Sequence, residues 1–190
     1  QVVDVRKGEI MFGLNMIVHK GRTIFVGDTS VHEYPTSEQM AEIAISTARV
    51  VRLFGFDPKV AFVSHSTFGQ PLTSRTKHIR SAVEILKEKK VDFEFDGDMQ
   101  PDVALNPEYE ELYPFAKIVG KANILIMPGQ HSAAISYKLM KTIGDAKVIG
   151  PLLIGLGLPI EIAPLRSSTS EILNLASIAA YSADVIDYKK

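Results

Sequence analysis

Three short segments carry the side chains best suited to chemistry. Ser64-His65-Ser66-Thr67-Phe68-Gly69 joins three hydroxyls to a glycine. Hydroxyls rotate and glycine lets backbone N–H groups approach, so such a run can offer donors to an anion. It lacks the Gly-Lys-Ser/Thr of a P-loop, and a polar turn capping a helix is the plainer alternative. Pro128-Gly129-Gln130-His131-Ser132 lies between an apolar run and a helical pattern. A helix amino terminus has unpaired N–H groups and partial positive charge, which suits phosphate. There His131 is an anion donor or a solvated loop residue, and Ser132 a ligand or an N-cap. Asp96-Gly97-Asp98-Met99-Gln100-Pro101-Asp102 clusters carboxylates, as metal binding or acid–base work requires. No glutamate stands at the twelfth position of a calcium loop, and Asp-Gly also simply makes turns. Arg75, Lys77, Arg80 and Lys121 are the cations near these segments.

Composition narrows the chemistry. With 46% hydrophobic and 23% charged residues in 190, the chain can fill one sizeable core. A formal net charge of −1 gives no broad field to hold nucleic acid or an anionic membrane. The absence of cysteine excludes disulfides, thiol catalysis and thiolate-held metals. His19, His32, His65, His78 and His131 show no H-E-x-x-H spacing, so no metal site is expected. The most apolar run, 148–160, is broken by Gly150, Pro151, Gly155, Gly157 and Pro159, and falls short of the ~18 residues of a membrane span. The opening residues Gln1 to Lys7 contain neither an initiator methionine nor a signal core, and read as a cut point in a longer polypeptide.

The elements that must position these segments follow from periodicity. Residues 9–18 and 23–26 flank His19-Lys20-Gly21-Arg22 and predict a hairpin. Thr36 and Gln39 form a capping-box pattern ahead of Met40, Ile43, Ala44, Ala48, Val51 and Phe54, which recur at helical spacing until Gly55 and Pro58. Strands are expected at 60–63, 91–95, 124–127, 147–149 and 160–163. Helices are expected at 73–89, 133–143 and 172–186, with 101–113 helical in pieces. Strands alternating with helices imply parallel crossovers, so the predicted fold is a three-layer α/β/α domain with a mainly parallel, mixed sheet. Ligands of such sheets collect beyond the carboxyl ends of the strands, where all three polar segments fall.

In order and spacing, these pieces resemble the phosphate acetyl/butyryltransferase family. Gly27-Asp28-Thr29-Ser30-Val31, Pro35-Thr36-Ser37-Glu38-Gln39 and Phe54-Gly55-Phe56-Asp57-Pro58 carry the resemblance. So do Ser64 to Gly69, Asp96 to Ala104, Ala122 to Pro128, Tyr137-Lys138 and Ile149-Gly150-Pro151. His19 to Thr23, Phe95 to Met99, Leu112 to Phe115 and His131-Ser132-Ala133 are similar to the branch appended to bacterial NADP-dependent malic enzymes. The resemblance implies the phosphotransacetylase (isocitrate dehydrogenase-like) fold and a cytoplasmic homodimer or higher homo-oligomer. It also implies an amino-terminal half that oxidises and decarboxylates malate with NADP and a divalent metal. Acetyl-CoA would act here as an allosteric inhibitor, with no cofactor held in this segment. The expected division is residues 1–158 as the α/β domain, and 159–190 as a strand and helix that pack on the missing amino-terminal part.

One departure separates sensor from catalyst. Active acetyltransferases of the family carry a Leu-Ser-Arg-Gly segment after the Gly-Pro turn. Counting from Pro159 and back from Ile172 places its serine and arginine at Pro164 and Leu165. Neither residue can act on a thioester, so no catalytic residue is expected. Arg166 lies one place further on, within reach of a slipped loop. Glu171 stands where the family has an acidic residue, and with Ser168 it also has the spacing of a second capping box. The expected ligand contacts are Ser64, Ser66, Thr67, Gly69, His131 and Ser132, with Lys77, Arg80 and Arg166 as weaker candidates. An active phosphate acetyltransferase, a dehydrogenase domain and a purely structural dimerisation module are the rival readings. The dehydrogenase lacks its G-x-G-x-x-G turn and metal cluster.

Overall fold

The computed structural model describes residues 3–186; Gln1 and Val2, where the cut point was read, lie outside the described residues. The hairpin forms as expected: β1 (Phe12–His19) pairs antiparallel with β2 (Arg22–Gly27), in register from Leu14 opposite Gly27 to His19 opposite Arg22. Lys20 and Gly21, with φ of 47° and 76°, make the two-residue left-handed turn that such hairpins favour. Then follow α1 (Ser37–Leu53), β3 (Lys59–Val63), α2 (Ser74–Lys89), β4 (Glu94–Met99) and α3 (Pro101–Leu105). A 3₁₀ turn spans Pro107–Leu112, and β5 (Ile124–Ile126), α4 (Gln130–Ile143), β6 (Lys147–Ile154) and α5 (Thr169–Val185) complete the chain.

The strands form one six-stranded sheet in the order β4-β3-β5-β2-β1-β6. The first four run parallel, and β1 is antiparallel to both of its neighbours. Alternation along each strand sends successive side chains to opposite faces. Phe25, Val60, Phe62, Ile124 and Ile126 join α1 and α2 in one core, which also takes Leu175 of α5. Val26, Ala61, Val63, Leu125 and Met127 meet α3 and Ala133 of α4 in the other. The three-layer arrangement is therefore what the alternation predicted.

Local signals set the helix starts. Thr36 accepts from the Gln39 N–H at 3.2 Å while the Gln39 side chain takes the Thr36 N–H at 2.8 Å. Ser168 and Glu171 make the same reciprocal pair before α5, and Lys141 adds an ion pair to Glu171 at 2.9 Å. The Ser168 backbone N–H, then Lys141, hold the Glu171 carboxyl down at about 2.

Three expected boundaries move. The strand read at 91–95 lies at Glu94–Met99, so the acidic segment is itself strand, zipped to β3 by Ala61 opposite Asp96 and Phe62 opposite Gly97. The helix read from Ala133 starts at Gln130, and its N-cap is Gly129 rather than Ser132. The strand read at 147–149 continues through Gly150-Pro151 to Ile154. Residues 160–163 form no strand beyond a single bridge from Glu161 to Leu152.

That bridge holds a carboxyl in an apolar setting. Glu161 accepts from the Leu153 N–H at 3.1 Å, yet burial pushes its pKa from an ordinary 4.5 up to about 7. The folded state thus binds this proton more tightly than the unfolded chain. The associated stability is complete below about pH 4.5 and is lost as pH rises through 7. After discounting for solvent screening, the loss is about 1–2 kcal/mol. Denaturant melts at pH 5 and pH 8, either side of the folded-state pKa of about 7, should show this slope in the wild type. In Glu161→Gln the slope should be flat; a slope that persists would place the titrating group elsewhere.

Candidate functional site

The chain reverses its winding direction between β3 and β5. From β2 it crosses β5's place to reach β3 and β4, then returns to insert β5. Such a switch point splays adjacent loops and opens a crevice at the carboxyl ends of the strands. A cavity of about 490 Å³ lies there. Ser64 and His65 line it from the loop after β3, Pro128, Gly129, His131 and Ser132 from the loop after β5 and the start of α4, and Glu33, Tyr34 and Arg75 from elsewhere. A second cavity, of about 370 Å³, adjoins it and shares Tyr34, Arg75, Ile79 and Pro128.

The loop that brings Glu33 and Tyr34 to this wall is built on one carboxylate. Asp28 is 3% exposed. It accepts N–H groups from Gly13 at 2.9 Å, Ser30 at 3.1 Å, Val31 at 3.1 Å and His32 at 2.8 Å. His32 Nδ1 lies 2.5 Å from Oδ2, the same oxygen that takes the His32 N–H. Gly129 locks the same loop to α4, because a Cβ there would stand 2.4 Å from the Glu33 carbonyl oxygen. Asp28 belongs to the Gly27-Asp28-Thr29-Ser30-Val31 piece of the family resemblance, and Asp-Thr-Ser after an apolar run is in itself a signal for side-chain-capped turns.

The expected contacts divide into three groups. Ser64, His131 and Ser132 line the 490 Å³ cavity together. His131 is exposed and faces Glu33 at 3.2 Å, while the Ser132 hydroxyl donates to the Gly129 carbonyl at 2.8 Å. Ser66, Thr67 and Gly69 belong to the same loop but serve its fold. The Ser66 hydroxyl donates to the buried Asp98 carboxylate, and Thr67 Oγ1 accepts from the Gln100 N–H at 3.2 Å. Gly69 has a φ of 81°, and a Cβ there would press on the Arg80 guanidinium. Lys77 and Arg80 line a different groove along α2 with Glu84 and Glu88. Arg80 also donates to the Phe68 carbonyl at 3.0 Å, so it clips the loop to the helix. Arg166 is exposed in the turn before α5, and its neighbour Pro164 lines a small cavity with Gly150 and Pro151.

Arg75, one of the four cations near the polar segments but not among the expected contacts, is the one that lines this cavity. It shares a face of α2 with Ile79, four residues on, and both line the cavity. Its guanidinium sits 4.8 Å above the Tyr34 ring, a cation–π arrangement that holds the charge at the cavity wall. A cation, a helix amino terminus and several hydroxyls around one apolar-floored crevice suit an extended anion with apolar and polar parts. Among the described residues, no cluster of three His, Cys, Asp or Glu could hold a metal ion, and no helix is long and apolar enough to cross a membrane.

Fold and topology together define an α/β domain of the phosphotransacetylase type. The family described as phosphate acetyl/butaryl transferase matches residues 1–180, and the chain belongs to that family. It is 45% identical over 181 residues to the NADP-dependent malic enzyme of Rhizobium meliloti (strain 1021), covering 95% of this chain and 24% of that protein. It is 31% identical over 185 residues to the phosphate acetyltransferase of Bacillus subtilis (strain 168), covering 96% and 57%. A solved phosphotransacetylase from Streptococcus pyogenes superposes with a TM-score of 0.91 at 31% identity, over 97% of this chain and 57% of that one. The chain thus spans about a quarter of the length of the malic enzymes it matches and little more than half that of the phosphotransacetylases.

Proposed function

We propose that this chain is the acetyl-CoA-sensing domain of an NADP-dependent malic enzyme and that it transfers no acetyl group itself. The observation that carries the reading is the pair Pro164-Leu165, standing where the family's catalysts place serine and arginine. Leu165 is fully exposed at 106% of its reference surface, and neither side chain offers a donor to a developing oxyanion. The similarity to NADP-dependent malic enzymes supports the context, with an amino-terminal half that uses NADP and a divalent metal to decarboxylate malate.

In this reading the crevice between the β3 and β5 loops takes acetyl-CoA. Arg75 and the start of α4 answer its phosphates, and Ser64 and the apolar floor meet its pantetheine arm. Ligand bound more tightly to one arrangement of the subunits of a homo-oligomer shifts malate oxidation by that difference in affinity. The test is calorimetry with acetyl-CoA on the intact protein, alongside its NADP-dependent malate oxidation. Saturable binding that lowers the oxidation rate is expected. Arg75→Ala removes a charge-assisted contact worth roughly 1.5–3 kcal/mol, so affinity should fall about 10- to 100-fold with little change in melting temperature. A wild-type protein that binds no acetyl-CoA would end the proposal.

A further inference from the structure

We infer that Ser64 offers the cavity a hydrogen-bond acceptor rather than a donor, and that it recognises an amide N–H of the ligand rather than a phosphate oxygen. The inference deepens the acetyl-CoA reading above and rests on it. A serine hydroxyl has one proton and two acceptor lone pairs. Ser66 is 0% exposed, and its hydroxyl proton is committed to the Asp98 carboxylate, itself 0% exposed. The Ser66 oxygen can then only accept. Ser64 Oγ lies 3.3 Å from it, so the hydrogen bond between the two hydroxyls takes the Ser64 proton, inward along this line. The Ser66 backbone N–H returns to Ser64 Oγ at 3.3 Å and occupies one of its lone pairs. The Ser64 backbone is pinned in turn, its N–H donating to the Met99 carbonyl at 2.9 Å.

What remains for the cavity wall is a single lone pair. Phosphate oxygens at neutral pH are acceptors and would face it unfavourably. An amide N–H is its complement, and the pantetheine arm of acetyl-CoA carries amide N–H groups between its phosphates and its thioester. The buried carboxylate of Asp98 therefore sets the polarity of a cavity-wall hydroxyl through Ser66. This turns a loop that looks like an anion cradle into a reader of the neutral arm, while Arg75 and the helix start meet the anionic end.

The experiment is calorimetry on the intact protein with acetyl-CoA and with single-ester analogues, in each of which one pantetheine amide N–H is replaced by oxygen. One analogue is expected to bind the wild type about tenfold more weakly, because an ester oxygen then faces the lone pair and leaves it unpaired. In Ser64→Ala the penalty for that analogue should shrink to about twofold or less, because the acceptor is gone. The ligand-side comparison uses the wild type alone, so it stands even if the variant folds poorly. Equal affinity of every analogue and acetyl-CoA for the wild type overturns the inference, as does a tenfold penalty that survives in Ser64→Ala. Failure of acetyl-CoA itself to bind the wild type overturns the proposed function and this inference with it. Binding without any analogue penalty overturns this inference alone.

Discussion

Asp28→Ala is expected to lower the unfolding free energy by about 4–6 kcal/mol, a drop in melting temperature of roughly 10–20 °C for a chain of this size. Four backbone N–H groups, from Gly13, Ser30, Val31 and His32, converge on this one buried carboxylate, with the His32 ring as a fifth neighbour. A hydrogen bond to a charged group contributes about 1.5–3 kcal/mol, and a donor left buried without a partner costs a comparable amount. The contacts share one acceptor, so they will not add in full. Asp28→Asn separates charge from shape. Its carbonyl can keep Gly13, Ser30 and Val31, but its amide must face the His32 N–H, so about half the loss is expected. Thermal melts followed by circular dichroism give both values. A loss below about 1 kcal/mol for the alanine variant would mean that water replaces the carboxylate, and that the loop is held by Gly129 and α4 instead.

What the sequence made legible is what is local or periodic. The Thr36–Gln39 and Ser168–Glu171 capping boxes are written in residues three apart, and both form. The hairpin and the two faces of the sheet follow from alternation with a period of two. Even the Thr73–Thr76 box before α2 obeys the same geometry. It went unread because threonine, rather than glutamate or glutamine, holds the third position.

What was misread is decided across the sheet. Val91, Phe93 and Phe95 alternate like a strand, but pairing with β3 selects Glu94–Met99 instead. That choice carries Asp98 into the interior, where the Ser66 hydroxyl donates to one carboxylate oxygen and the other is left without a partner among the described residues. Helix geometry also divides the cations between two grooves. Lys77 and Arg80 were nominated, yet helix geometry turns them to the groove with Glu84 and Glu88. Arg75, two residues earlier, shares the cavity face with Ile79. Glu33 and Tyr34 reach the crevice only because the Asp28 loop folds back across the start of α4, and no local pattern encodes that crossing.

The intact protein is expected to exchange acetyl between CoA and phosphate at least about a thousandfold more slowly than a phosphate acetyltransferase of the same family. Acyl transfer from a thioester develops negative charge on the carbonyl oxygen, and preorganised donors there supply the largest single share of catalysis. Losing one costs about 10²–10³ in rate. Pro164 and Leu165 supply neither hydroxyl nor charge, so two contributions vanish together. In the proposed reading Arg75 and the start of α4 are engaged by the phosphates of the ligand rather than by its thioester carbonyl. The Ser132 hydroxyl donates to the Gly129 carbonyl and, by the inference above, the Ser64 proton is turned toward Ser66, so neither hydroxyl is left to donate to an oxyanion. A thioester that meets no oxyanion donor stays intact, as a sensor of acetyl-CoA requires if the signal is to track concentration rather than be consumed. The measurement is incorporation of labelled phosphate into acetyl phosphate, with a phosphate acetyltransferase as the parallel standard. A rate within tenfold of that standard would show that Arg166 or a hydroxyl from elsewhere has taken over the oxyanion, and the domain would then be a catalyst.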